Sequence, residues 1–142
     1  MSLTFRKMTA DDFPACAEEL IAAFREEPWC EIWTPNQAFT RIDEIMSARV
    51  SRGIVCVDGD RCVSMLCGRI MTYQDQKLFY IDEFSVHPQY QRQGIGSRML
   101  ASCGRSCKRN PSPSATCPSS PSTASPALPS TKRTALWSCK TN

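Results

Sequence analysis

The residues of this chain best suited to chemistry fall between positions 80 and 97. The run Gln91-Arg92-Gln93-Gly94-Ile95-Gly96-Ser97 follows a β-rich apolar stretch stopped by Pro88 and opens a segment of helical character. A glycine loop at a helix start can hold a phosphate. Backbone N–H groups point outward there, the helix dipole favours negative charge, and glycine lets a ligand approach closely. Two glycines alone are equally a turn chosen for its conformation. The spacing excludes a Walker loop, since no Gly-Lys-Ser/Thr follows, and the dinucleotide fingerprint needs a third glycine and another strand order. Just upstream stand two adjacent carboxylates, Asp82 and Glu83. In a regular strand the two side chains face opposite ways, so at most one points at a substrate. A bulge would change which one, and either could instead be a solvated edge charge.

A second cluster is Glu26-Glu27-Pro28-Trp29-Cys30-Glu31-Ile32-Trp33. Its carboxylates and two indoles could receive a cationic polyamine or amino sugar by charge pairing and cation–π contact. Equally, the tryptophans could pack on the core beneath charged helix ends. His87 is the single histidine and sits beside the proline that ends a strand, which suits a structural role or one at a ligand's edge. Cys16, Cys56, Cys62 and Cys67 fall on apolar faces and behave as small hydrophobes. No cysteine spacing suggests zinc, and the later Cys103 and Cys107 have no histidine or carboxylate near them to complete a site.

These residues need a scaffold, and the periodicity supplies one. Leu3, Phe5 and Met8 belong to a short extended start, and Thr9 with Asp12 three residues on resembles a capping box. Phe13, Cys16, Leu20, Ile21 and Phe24 then mark one buried helical face. Thr34-Pro35 is a second start signal, a cap followed by proline at the first helical position. Phe39, Ile42, Ile45, Met46 and Val50 line that helix. Ile54 to Val57 reads as a strand, Asp58-Gly59-Asp60 as a tight turn, and Cys62 to Thr72 as the hairpin partner. A polar connection over Gln74 to Lys77 leads to a strand over Leu78–Val86. The predicted order is β-α-α-β-β-β-α.

The chain has 142 residues, with 17 basic and 14 acidic side chains, 9 cysteines and 10 prolines. That length suits one core. No apolar run approaches the roughly 18 residues of a membrane span, and no signal-peptide pattern opens the chain. Scattered cysteines in an ordinary globular background argue against a secreted disulfide scaffold, so a reduced cytoplasmic protein is expected. Charge divides the chain. Residues 1–100 hold 11 basic and all 14 acidic side chains, whereas residues 101–142 hold 6 basic and none acidic, with 10 serines and 6 prolines. Such a tail buries too little apolar surface to offset its ordering entropy. The overall charge of +3 therefore arises wholly from the tail and does not imply an acidic partner.

Tyr80-Ile81-Asp82-Glu83-Phe84-Ser85-Val86-His87-Pro88, followed by Gln91-x-x-Gly94-x-Gly96, resembles the acetyl-CoA motif of the Gcn5-related N-acetyltransferases, the GNAT superfamily. The element order matches as well, and the likeness covers about the first hundred residues. The resemblance implies an α/β (α+β) fold with a mixed, mostly antiparallel sheet, and direct acetyl transfer from the cosubstrate acetyl-CoA to a small-molecule amine. It implies that the backbone of Phe84, Ser85 and Val86 pairs with the pantetheine arm. Gln91, Arg92, Gln93, Gly94, Ile95, Gly96 and Ser97 would cradle the pyrophosphate, with Arg92 and Arg98 adding positive charge. Related enzymes place a carboxylate just ahead of this loop, which makes Asp82 and Glu83 the candidate bases. The segment carrying Glu27, Trp29, Glu31 and Trp33 usually lines the acceptor side, and a similar stretch occurs in members resembling aminoglycoside acetyltransferases. Nucleic acid and membrane are not expected as partners; a homodimer stays open.

Past Leu100 the likeness stops. A family member would continue with a fifth strand splayed from the fourth and commonly a tyrosine that protonates the leaving thiolate. The chain gives Ser/Pro-rich text instead, so residues 1–100 are expected to form an incomplete domain with C-terminal strands missing or malformed, and 101–142 a poorly ordered tail. Shifting the frame by one base, the codons over Leu128–Leu136 permit Ala-Phe-Tyr-Glu-Lys-Asn-Gly-Phe, a segment of the family type, and Ser102–Asn110 permits an amphipathic helix. The expectation is a frameshift near Met99–Cys103. The competing expectation is a disordered basic tail that binds acidic partners.

Overall fold

A computed structural model describes residues 2–103, together with the backbone of 107–109 and 135–139. The strand β1 (Leu3–Lys7) leads through a 3-10 turn into helix α1 (Phe13–Arg25). Asp12 makes that entry firm. Its carboxylate accepts from the Thr9 N–H at 2.8 Å and from two nitrogens of Arg6 at 2.7 Å each. These bonds, led by that from Arg6, hold the Asp12 pKa below the usual carboxylate range. Helix α2 (Pro35–Met46) starts on the expected cap. The Gln37 N–H donates to Thr34 Oγ1 at 3.2 Å while the Thr34 N–H donates to Gln37 Oε1 at 2.9 Å.

Three long strands follow, β2 (Ser51–Asp58), β3 (Arg61–Tyr73) and β4 (Gln76–Val86), then helix α3 (Ile95–Ser102). This is the predicted order. The β3–β4 hairpin is longer than the sequence suggested, because the polar run Gln76-Lys77 pairs with Thr72-Tyr73 and leaves only Gln74-Asp75 as the turn. Val50 and Phe39 are exposed, contrary to their assignment to the buried face of α2. The helix stops at Met46, so its periodicity never reaches Val50, and its buried face is Ala38, Ile42 and Ile45.

The sheet runs β1-β2-β3-β4-β6-β5, antiparallel at every pairing, where β5 is Cys107–Arg109 and β6 is Ala135–Cys139. The C-terminal strands, expected to be missing or malformed, are thus short. β6 pairs only with Leu78–Ile81 of β4, and among the described residues no strand pairs with Asp82–Val86 on the side away from β3. α3 runs to Ser102, two residues past the expected boundary at 100. Most of the expected tail, and the Leu128–Thr134 portion of the segment expected to be frameshifted, lie outside the described residues.

Two apolar clusters sandwich the sheet. α1 and α2 cover one face, where Phe13, Cys16, Leu20, Phe24 and Ile42 pack with Met65 and Cys67 of β3. α3 covers the other, where Ile95 and Met99 pack with Val63 and Leu66 of β3 and Phe79 and Val86 of β4. Cys16, Cys56, Cys62 and Cys67 are buried in these clusters, as their faces suggested, and burial raises the pKa of the Cys56 and Cys67 thiols.

Candidate active site

A bulge brings Glu83 to the helix face. β3 and β4 pair Cys67 with Glu83 but Gly68 with Ile81, so Asp82 is the extra residue. Before the bulge, Phe79 and Ile81 face the α3 cluster; after it, Phe84 and Val86 do. Glu83 and Ser85 are thereby turned to the α1–α2 face. Strict alternation would have sent them into the α3 cluster. Gly68 permits this geometry: a Cβ there would overlap the Tyr80 carbonyl and stand 2.9 Å from Ile81 Cα. Asp82, the extra residue, shares the α1–α2 side and is held in an ion pair with the half-exposed Arg69 at 3.3 Å.

Glu83 is buried, with its Oε2 3.8 Å from Nε of Arg41 on α2. Below it on the same face, Ser85 Oγ donates to Oε2 of Glu19, from α1, at 2.5 Å. Glu19 is 2% exposed, and its Oε1 is buried with no hydrogen-bond partner among the described residues. Loss of hydration raises the Glu19 pKa to about 8; the Ser85 bond works against that rise and the charge of Glu83 adds to it. Sequence reading missed Glu19. Its signal was a carboxylate inside the apolar stripe Cys16, Leu20 and Ala23, where a charge is costly.

Arg41 also lines a cleft of about 750 Å³ beside α2, together with Glu31, Trp33, Asn36, Thr40 and Glu44. The spacing of 36, 40, 41 and 44 is one polar helix face, opposite the buried Ala38, Ile42 and Ile45. Of the four residues expected on an acceptor side, Glu31 and Trp33 meet at the cleft, where the indole Nε1 donates to Glu31 Oε2 at 2.9 Å. Glu27 is exposed and does not line it. Trp29 packs on the α1–α2 core, as does part of Trp33. Arg41 and Glu44 were not singled out from sequence, because only the turn of α2 brings them alongside Glu31.

The glycine loop lies at the end of β4. The His87 N–H donates to the Val63 carbonyl at 2.8 Å, which sets the phase of the β3–β4 ladder. Ser85 therefore aims its backbone groups at β3, whereas Phe84 and Val86 aim theirs at the open edge. Gln91 reaches back to that edge, its Nε2 donating to the Val86 carbonyl at 2.9 Å. Gly94 caps α3 at φ +76°, with no atom within 4 Å of where a Cβ would stand. The first helix-type bond runs from the Arg98 N–H to the Gly94 carbonyl at 3.1 Å. The amides of Ile95, Gly96 and Ser97 thus lack intrahelical acceptors. Buried Ile95 anchors the loop in the α3 cluster, and Gly96 sits against the Phe84 ring. Arg92, Gln93 and Ser97 are exposed around it. Arg98, expected to add charge here, instead lies over the Phe5 ring at 4.3 Å. His87 has a lowered pKa, from partial burial and from the Arg61 guanidinium 2.8 Å from its Nε2.

A family model described as "Acetyltransferase (GNAT) family" matches residues 13–111. Among solved structures, the chain is similar to a GNAT family acetyltransferase of Staphylococcus aureus, at 17% identity and TM-score 0.59 over 72% of this chain and 76% of that one. It is similar to a possible acetyltransferase from Clostridium difficile, at 14% identity and TM-score 0.59 over 72% and 69%. An aminoglycoside acetyltransferase from an uncultured soil metagenomic sample, solved in complex with sisomicin, matches at 19% identity and TM-score 0.53 over 71% and 66%. No curated protein matches.

Proposed function

Because the chain belongs to the GNAT family, whose members are acetyl-CoA-dependent N-acetyltransferases, we propose that it moves an acetyl group to a primary amine of a small cationic molecule by direct transfer. The observation that carries this reading is the place of Glu83. Its carboxylate stands on the helix face, in contact with the Arg41 that lines the cleft, one residue from the open edge at Phe84.

The loop fits a phosphate-bearing arm. The space around Gly94 is open, the first-turn amides of α3 are available, and Arg92 adds a cation at the rim. Phe84 and Val86 offer backbone groups to an extended amide-containing arm, as a further strand would. Acetyl-CoA, when bound, supplies the activated acetyl carbonyl. The residues of this chain do the rest. Glu31 and Glu44 draw a cationic acceptor into the cleft, and Trp33 offers an indole face. An ammonium group cannot attack until it loses a proton, and Glu83 takes that proton directly or through a water. Asp82, engaged by Arg69, does not compete for it. We place this activity in the cytoplasm, where buried thiols such as Cys16 and Cys67 persist reduced.

The family's tyrosine acid would belong to residues beyond the described ones, and we propose that these are read out of frame. Weak turnover by the chain as written is the expected result. Thiol release with a polyamine and aminoglycoside panel tests the reading, with calorimetry against acetyl-CoA and the same gene with its frame restored near codons 99–103. Restoring the frame is expected to raise turnover, and Glu83→Gln in that background to lower it at least a hundredfold. Turnover unchanged by Glu83→Gln would sink the assignment of the base. A clean 142-codon frame recovered from independent isolates would sink the frameshift. One observation favours a second reading: β6 pairs with only four residues of β4. Calorimetric binding without thiol release in either frame would select that reading, a CoA-binding protein without chemistry.

A further inference from the structure

Glu19 has no part in the reaction as derived, yet it is the most completely buried carboxylate described. Burying an ionisable group with an unsatisfied oxygen is costly, and a core helix position offers many cheaper residues. The groups that face it come from two strands. β4 contributes Ser85, bonded to it, and Glu83; β3 contributes the thiols of Cys62 and Cys67. The nearest cation of the cluster, Arg41 of α2, is paired with Glu83 and not with Glu19.

We propose that Glu19 is a positioning residue for acetyl transfer: as a neutral acid beneath Ser85, it keeps the single negative charge of the buried carboxylate pair on Glu83. Two ionised carboxylates repel strongly in a dry interior, so over a broad pH range the pair carries one proton and one charge. The proton stays on Glu19, which is deeper and has no cation paired with it among the described residues, and the charge stays on Glu83, which has Arg41 beside it. The opposite arrangement would leave Glu83 protonated and unable to accept a proton from the amine. When Glu19 ionises in alkali, Glu83 meets a second buried charge. Ser85 sets where that happens, because its hydroxyl donates to the ionised form.

This inference rests on the transferase reading, and its test separates the two. Thiol release is measured from pH 5.5 to 9.5 for the full chain and its Glu19→Gln and Ser85→Ala variants, beside a carbon-13 titration of the glutamate carboxyls. The unaltered chain is expected to show an inflection near pH 8, matching the value to which burial raises Glu19. Glu19→Gln should remove it, and Ser85→Ala should move it to higher pH, a pattern that lost packing alone does not produce. In the titration, Glu83→Gln should shift the Glu19 carboxyl downward. An inflection kept by Glu19→Gln, or a Glu19 carboxyl titrating in the ordinary range, overturns the proposal. If no amine supports thiol release in either frame, the transferase reading fails, and the titration still decides the charge arrangement: a Glu19 signal indifferent to Glu83→Gln overturns it.

Discussion

Glu19→Gln should make the protein more stable at pH 8 and leave it nearly unchanged at pH 5. In the folded chain the Glu19 pKa is raised from 4.5 to about 8. A raised carboxyl pKa means that the folded state holds a proton the unfolded chain has released. Stability is therefore complete below the unfolded value and falls as pH rises toward the folded one. The gap of 3.5 units corresponds to at most about 5 kcal/mol, and roughly 3 kcal/mol of it accrues between pH 5 and pH 8. Glutamine keeps the shape and still accepts from Ser85, but it does not titrate. His87 works in the opposite sense. Its pKa is lowered, so its contribution is lost as pH falls below the unfolded histidine value. Comparing variant with parent at each pH cancels that term. Urea unfolding of both chains at pH 5, 6.5 and 8 is the assay, and the two stability lines should diverge with rising pH. Parallel lines would refute the reasoning, since they would mean that Glu19 titrates alike in the folded and unfolded chain.

Gly68→Ala drives a Cβ into the Tyr80 carbonyl, so it should cost about 3 kcal/mol or more, read as a fall in thermal midpoint, or else lose the bulge, read by cross-strand NMR contacts. Gly94→Ala meets open space but a left-handed φ of +76°, and should cost only about 1–2 kcal/mol while weakening acetyl-CoA binding by calorimetry. Asp82→Asn breaks a half-exposed ion pair with Arg69, so stability should change by less than about 1 kcal/mol, and thiol release should persist if Glu83 alone is the base.

The structure follows the sequence most closely where a residue's role depends on its near neighbours. Thr9 with Asp12 and Thr34 with Gln37 are local bonding schemes, and both helices begin where those residues stand. Gly94 is needed by the turn that starts α3, and the turn is visible in the glycine spacing. Ends set by pairing were harder to read: the polar Gln76-Lys77 looks like a loop and is strand, because Thr72 and Tyr73 stand opposite it.

The sequence by itself determined the element order, the helix starts, the glycine loop and the family, because caps, turns and apolar periodicity act over a few residues. It also narrowed the candidate base to two adjacent carboxylates. Only the tertiary structure brought Glu83 to the α1–α2 face, since the bulge is a register shift between β3 and β4 that no local pattern encodes. The same holds for Glu19, whose proton is kept by neighbours 64 and 66 residues away, and for the cleft, where α2 brings Arg41 between Glu83 and Glu31. Local chemistry writes the parts of this site; long-range pairing and burial decide which carboxylate carries the charge.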